Sequence, residues 1–467
     1  MTGKPNSLTS GWLLPFIAFA LILVAQLWLV AMAGTDIPFY DQWDVEGGWL
    51  YPAFLDGSLH FADLFRPHSE HRIVWTHLLN LLTFYANGNR WDPLVQLAVG
   101  AVLHALCAAV LVHLLTRGLR SGSRTVIVIG ALLANLPVLG WHNALWGFQS
   151  SVYFVLLFAT LAYALLDGSA FRSRRQYVGW VMVLFALFAM GPGLLVPVAL
   201  FGLGLVRFLE SGEMASDILR QYWPVLPLLA LTVILRRTVP EHAVLQAGSI
   251  GQFIRVASRV MAWPHVEQPL AAFALNLPIS FLLFSRIMGR RRPAHGENFV
   301  LLMGGWSVAI ALATAWSRGG SDELVGGVPS RYADLIVLLP LANLWCLVTL
   351  LCESGPWRRA SSQLVAGIWV LFLLVGWVGL SVQMMRGIIL PRARDPLAPV
   401  RLAVAFEASV DPAVFDGQPR LLVPHPNLAS VQRVLTDPRM KGALPPSLQA
   451  GQPMGPLSRA IRKVLGR

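Results

Sequence analysis

Charge is scarce in this chain. Aspartate, glutamate, lysine and arginine make up 13% of its 467 residues, about half of the roughly 25% carried by soluble domains, which excludes an ordinary water-soluble enzyme. Lysine is nearly missing, so the net charge of +12 is almost all arginine. Much of that arginine falls in short segments between apolar stretches, a pattern that fits orientation in a bilayer and gives no reason to infer a nucleic-acid partner. Cysteine occurs three times, as Cys107, Cys346 and Cys352, always within or beside an apolar stretch. Neither a disulfide framework nor a zinc-site spacing is present. The alternating segments of about ten residues that build a membrane β-barrel are missing too, and no internal repeat stands out.

Apolar length is what the chain has in excess. It is 55% hydrophobic with a mean hydropathy of +0.60, and long apolar runs recur from residue 13 to residue 386. This predicts an all-α polytopic membrane protein. About eleven spans are expected, over 12–33, 93–116, 125–140, 151–167, 177–190, 193–208, 221–238, 269–285, 298–316, 332–352 and 364–386. The first run ends in Ala31-Met32-Ala33, which resembles a signal-peptide cleavage site. It exceeds the usual apolar core of about 7–15 residues, however, and only Lys4 precedes it, so it reads as an uncleaved first helix.

Around Gly191-Pro192-Gly193 the sequence reads as two short helices joined by a turn. With the N-terminus in the cytoplasm, alternation then puts Arg117, Arg120, Arg124, Arg172, Arg174, Arg175, Arg286, Arg290, Arg291, Arg292, Arg358 and Arg359 on the cytoplasmic side, as the positive-inside rule requires. Residues 71–86 read as an amphipathic helix on or partly in the outer face, and a second is expected near 251–262. Residues 387–467, rich in Pro, Arg and Asp, follow the last span as a small outward domain or tail. Short pieces such as AVFDGQPRLLVPH suggest strands there, although 81 residues are marginal for an independent core.

The polar chemistry gathers in the outward segments. Residues 34–92 hold Asp36, Asp41, Asp44 and Glu46 in PFYDQWDVE, then His68, Glu70, His71 and Arg72 in RPHSEHRI. Acids held beside a membrane are costly unless they do something. If the first cluster is helical, Asp41 and Asp44 share a face at i and i+3; they could equally cap a helix and solvate the loop. The segment 141–150 offers Trp141, His142, Asn143, Trp146 and Gln149 as stacking faces and donors suited to carbohydrate, or as an interfacial belt. Asp322 and Glu323 lie in a glycine-rich loop before Arg331-Tyr332, and Arg236-Arg237 ends a span. Arginine suits a phosphate because its planar fork binds two oxygens and stays charged. His68, Glu70 and His71 with Asp41 or Asp44 could bind a divalent metal, but H-x-E-H lacks the i,i+4 register of a helical zinc pair.

A hydrophobic first helix followed by a long outward loop with closely spaced acids resembles the GT-C superfamily of membrane glycosyltransferases. PFYDQWD followed by HSEHRI looks like its bacterial members, and Ser330-Arg331-Tyr332 is similar to a late-helix feature of some of them. The resemblance covers the first hundred or so residues and the general helix plan. It implies a transmembrane transferase domain over 1–386 in a bacterial inner membrane, active on the extracytoplasmic face. A polyprenyl-phosphate sugar would be the donor, a glycan or lipid the acceptor, and the anomeric carbon would invert. Asp41 would be the base and Asp44 its partner, with Arg331 and Arg72 on the phosphate and Glu46, His68, Glu70, His71, His142, Asn143, Gln149, Asp322, Glu323 and Tyr332 around the substrate. A lipid-facing groove near the late helices would take the polyprenyl chain, with membrane lipids as further partners. No cofactor is required by this scheme, and a divalent metal is compatible with it. A flippase of lipid-linked glycans, or an envelope-polymer polymerase or ligase, is the alternative; a flippase would need polar groups through the spans, where only His104, His113, Asn135 and Asn343 were conspicuous.

Overall fold

The computed structural model describes residues 10–211, 215–289, 293–353, 360–449 and 451–467. Lys4, Arg290, Arg291, Arg292, Arg358 and Arg359 lie outside the described residues. The helices that organise the chain are α1 (Ser10–Ala33), α2 (Asp41–Asp44), α3 (Val74–Ala86), α4 (Pro93–Thr116), α5 (Ser121–Ala134), α6 (Ser150–Leu166), α7 (Arg174–Leu187) and α8 (Val196–Ser211). They continue with α9 (Val225–Leu235), α10 (Ile250–Met261), α11 (Ala271–Ile287), α12 (Glu297–Arg318), α13 (Leu338–Val348) and α14 (Ala360–Met384). Three tail helices follow, α15 (Ala398–Ser409), α16 (Leu428–Thr436) and α17 (Pro456–Leu465).

Among the described residues seven helical stretches are long and apolar enough to cross a membrane: Trp12–Ala33, Pro93–Thr116, Gly147–Leu166, Gly191–Glu210, Glu297–Arg318, Ser330–Leu351 and Gln363–Arg394. Ser121–Ala134, Arg220–Leu235 and Ala271–Ile287 are apolar but shorter. Each expected span overlaps a helix, including 177–190 on α7, although α5 ends at Ala134 and 135–140 turns instead of continuing it. The anticipated break is real. A 3-10 turn over Gly191–Leu195 separates α7 from α8, and a Cβ at Gly193 would collide with the Ala186 carbonyl. Gly193→Ala should therefore lower the thermal unfolding midpoint, by a cost of about 1–3 kcal/mol typical of overpacking. Gly202→Ala, where a Cβ meets nothing within 4 Å, should leave the midpoint unchanged or raise it.

Loop contacts fall into two sets. At one end the first loop reaches the far end of α9 through Arg72 Nη1, which donates to the Leu235 carbonyl at 2.6 Å. Glu70 pairs there with His242 at 2.8 Å and Arg318 at 3.0 Å. At the other end Asn298 donates to Asp167 at 3.1 Å, and buried Arg286 binds Glu210 and Asn298. The two amphipathic helices form as α3 and α10. In α3 the sides are instructive: Thr76, His77 and Asn80 face inward while Leu82 and Tyr85 are exposed. Its polar residues face the protein interior together with Val74 and Phe84, while Leu78, Leu82 and Tyr85 form an outward apolar strip, the two-sided character of an amphipathic helix.

The tail corrects the expectation of strands. No β-strand occurs among the described residues, and the AVFDGQPRLLVPH segment forms two 3-10 turns, Pro412–Phe415 and Arg420–Leu422. Pro412, Pro419 and Pro424 lack the N–H a ladder needs. Nor does the tail build a core alone. Phe406, Phe415, Val431, Val434, Met440 and Leu444 form one apolar cluster with Trp43, Leu50, Tyr51, Phe84 and Trp91 of the first loop. Arg462 clamps the same pair of segments, 3.0 Å from Asp36 and 3.1 Å from Asp92. Asp92 also caps α4 by accepting from the Leu94 amide; burial pushes its carboxyl up to about 6 despite Arg462.

Candidate active site

The acidic cluster is built by its buried neighbours. Gln42 and Trp43 of α2 point inward, the Phe39 amide donating to Gln42 Oε1 at 3.1 Å and Trp43 Nε1 to the Pro38 carbonyl at 2.8 Å. That fixes Asp41 and Asp44 on the opposite, partly exposed side of the turn. Tyr40, just before it, has φ 48°. A left-handed φ at a bulky residue is strained and persists where surrounding contacts over-determine it, a situation that clusters at functional sites.

Each acid meets an imidazole. His68 Nε2 lies 3.3 Å from Asp41 Oδ1, presented by a tight hairpin in which the His68 and His71 backbones exchange hydrogen bonds of 2.8 and 2.9 Å. Ser69 at its tip has φ 49°. His425 Nε2, from the tail, lies 3.0 Å from Asp44 Oδ2, and its Nδ1 lies 2.8 Å from the Asn427 carbonyl. Burial opposes charge on both members of this second pair, but their mutual hydrogen bond and charges prevail. Asp44 ends below its ordinary value and His425 above. The ion pair is therefore retained above pH 6.5 until the raised His425 value is passed, and at the acid end until pH falls through the lowered Asp44 value.

The arginine side adjoins the acids through the tail. Arg331 Nη2 pairs with Glu323 Oε2 at 2.5 Å and its guanidinium sits 5.1 Å over the Tyr332 ring. Glu323 Oε1 is 3.7 Å from Arg420 Nη1, and Arg420 Nε donates to the Tyr40 hydroxyl at 3.2 Å. His142 stacks between Trp141 and Trp146, with ring centroids at 4.8 and 5.3 Å. Burial, then the charges of Arg331, Arg392 and Arg420, push it down to about 3, so it is neutral. The His142 amide donates to Ser330 Oγ at 3.3 Å, and Asn143 Nδ2 donates to the Arg331 carbonyl at 3.0 Å and to Asp334 at 2.8 Å. The segment 141–150 thus holds the start of the late helix in place.

Several anticipated substrate ligands sit elsewhere. Glu46 is 0% exposed and accepts from Gln42 and Asn80; Asn143 and Gln149 are buried, so these three support the site from behind. Arg72 is spent on the Leu235 carbonyl, and Glu70 turns to His242 and Arg318. His71 packs against Gly191, with burial pushing it down to about 4. Asp322 is exposed at the loop surface. The H-x-E-H residues therefore do not gather as a ligand set. Among the described residues no group of three or more His, Cys, Asp or Glu is arranged to hold a metal ion. Tyr40, Arg420 and His425 were not anticipated, and no local pattern marks them: His425 meets Asp44 across 381 positions of chain. No protein-family model matches the chain, and no curated protein matches it either.

Glu46 carries a pH signature. Burial, with the neighbouring Asp41 charge, raises its carboxyl to about 8 against the amide hydrogen bonds. The folded state then binds a proton that the unfolded state releases above about 4.5, so this residue's contribution to stability falls as pH rises from there to about 8. Glu46→Gln keeps the shape and both amide neighbours while removing the titration. Its thermal unfolding midpoint in detergent should vary less between pH 5 and pH 9 than that of the wild type, and an identical slope would overturn this assignment.

Proposed function

We propose that the chain is a glycosyltransferase of GT-C type with eleven membrane passes, its N-terminus in the cytoplasm and its active face outside the bacterial inner membrane. It takes a sugar from a polyprenyl-phosphate carrier and transfers it to a hydroxyl of an outer-face glycan or lipid. What supports this reading is one juxtaposition: two acid–imidazole pairs and two arginines joined through Tyr40 and Glu323 at the same end of the helices. Transfer needs a base for the acceptor hydroxyl while positive charge develops at the anomeric carbon, and cations for the phosphate that leaves. Asp41 is the base, kept in place by His68. Asp44, paired with His425, orients the acceptor side or a sugar hydroxyl. Arg331 and Arg420 meet the lipid phosphate once Glu323, which now occupies both, gives way to it. Arg72 leaves that role because its guanidinium holds a helix end.

The test is transfer by full-length protein in liposomes offered a panel of polyprenyl-phosphate sugars and an acceptor glycan. Wild type should transfer from at least one donor. Arg331→Ala should raise the apparent KM for that donor by about 10- to 100-fold, the worth of a charge-assisted hydrogen bond. If the protein transfers nothing yet moves labelled lipid between leaflets, it is the flippase. Products that lengthen processively on the lipid carrier would indicate a polymerase.

A further inference from the structure

A cavity of about 810 Å³ opens at the end of the helices away from the acidic pairs, among the ends of α4 and α6, the start of α7 and the segment leading into α12. Its volume is in the range of ligand sites. One part of its wall is apolar, made by Leu114, Leu161, Leu165 and Phe299. The other part is lined by basic side chains. Arg117 and His295 are exposed, border the cavity and have no side-chain partner among the described residues. Arg175 also borders it, and among the described residues donates only from Nη2, to the Ala164 and Asp167 carbonyls at 2.6 and 2.8 Å, which leaves the rest of its fork available. The one acid among the described residues that border the cavity, Asp167, accepts from Asn298 at 3.1 Å. Gly118 lets the chain turn here with φ 75°, and the His295 ring passes close over it, within 3.1 Å of where a Cβ would stand.

We propose that this cavity binds the phosphate headgroup of an anionic membrane lipid. A phosphate accepts the paired donors of an arginine fork, and an apolar wall beside a basic one fits an amphiphile better than a free anion. The wall lies where α4 and α6 end and α7 and α12 begin, and the first turn of α7 beyond Arg175 exposes Tyr177 and Val178. Basic pockets between helices near a membrane surface bind acidic headgroups in this way. The leaflet is the one on the arginine-rich side. The inference stands whether or not the opposite end transfers sugar.

Native mass spectrometry of the full-length protein in detergent, titrated with phosphatidylglycerol, phosphatidylcholine or inorganic phosphate, tests it. Phosphatidylglycerol should be retained at concentrations at least tenfold below those needed for phosphatidylcholine. Arg117→Ala combined with His295→Ala should erase that preference while the melting temperature stays put, since both side chains are exposed and have no side-chain partner among the described residues. Equal retention of both lipids, an unchanged preference in the double variant, or displacement of the lipid by an equal concentration of inorganic phosphate would each overturn the proposal. Should the double variant unfold, Arg117→Lys serves instead: it keeps the charge but not the fork, and a preference intact to within twofold would overturn the bidentate contact.

Discussion

Asp41→Asn should reduce glycosyl transfer by about 10²- to 10⁴-fold, the usual worth of a positioned general base, without lowering the thermal midpoint. The amide keeps the side chain's size and can still meet His68, whose Nε2 is 3.3 Å away, but it cannot take a proton. The expected loss is in kcat, because the acceptor still binds; a variant that changed only KM would mark Asp41 as a sugar ligand. Asp44→Asn should behave differently. It removes the charge that raises His425, so its effect should depend on pH and be partly a loosening of the tail. The comparison is made by initial rates with a single donor, wild type and both variants, from pH 5 to pH 9. Full transfer by Asp41→Asn and Asp44→Asn alike would remove the base from both positions.

The helices were legible because lipid leaves little choice. Buried backbone must satisfy its own hydrogen bonds, and the apolar runs announce where that happens. The Gly191-Pro192-Gly193 turn was legible for the same reason, since proline and two glycines interrupt the run. Asp41 and Asp44 stood out because acids are rare here and theirs sit beside a span. What could not be read was pairing over long separations. Nothing near His425 indicates that it meets Asp44, and nothing near Arg420 indicates Tyr40 or Glu323. The outer loop misled in a related way. Glu46 is as acidic in sequence as Asp41, but five positions on it faces the opposite side of a short helical turn and lies against Gln42 and Asn80. Arg72 and Glu70 likewise look like substrate ligands until the far loops they bind are in view.

The tail gives the second large effect. Ending the chain after residue 386 should abolish transfer and sharply lower the thermal midpoint, because the loop would lose the apolar half of its core contributed by Phe406, Val431, Val434 and Met440. It would also strand charges. Asp36 and Asp92 are buried against Arg462, and removing one member of a buried pair typically costs about 3–5 kcal/mol. The end of α1 would lose the arginines that satisfy its last carbonyls: Arg392 donates to Ala33 at 2.8 Å, and Arg467 donates to Ala31 and Gly34 at 2.7 and 2.9 Å. The complementary experiment isolates the tail. Residues 387–467 alone should show no cooperative thermal transition by circular dichroism, since Trp43, Tyr51, Phe84 and Trp91, against which the tail's Phe406 and Phe415 cluster, come from the loop. Supplying that peptide in trans to the truncated protein should restore part of the midpoint, because the interface is a core divided between two segments. A truncated protein that still transfers sugar would show that His425 and Arg420 lie outside the reaction, and a tail that folds alone would show that its contacts with the loop are docking between finished parts.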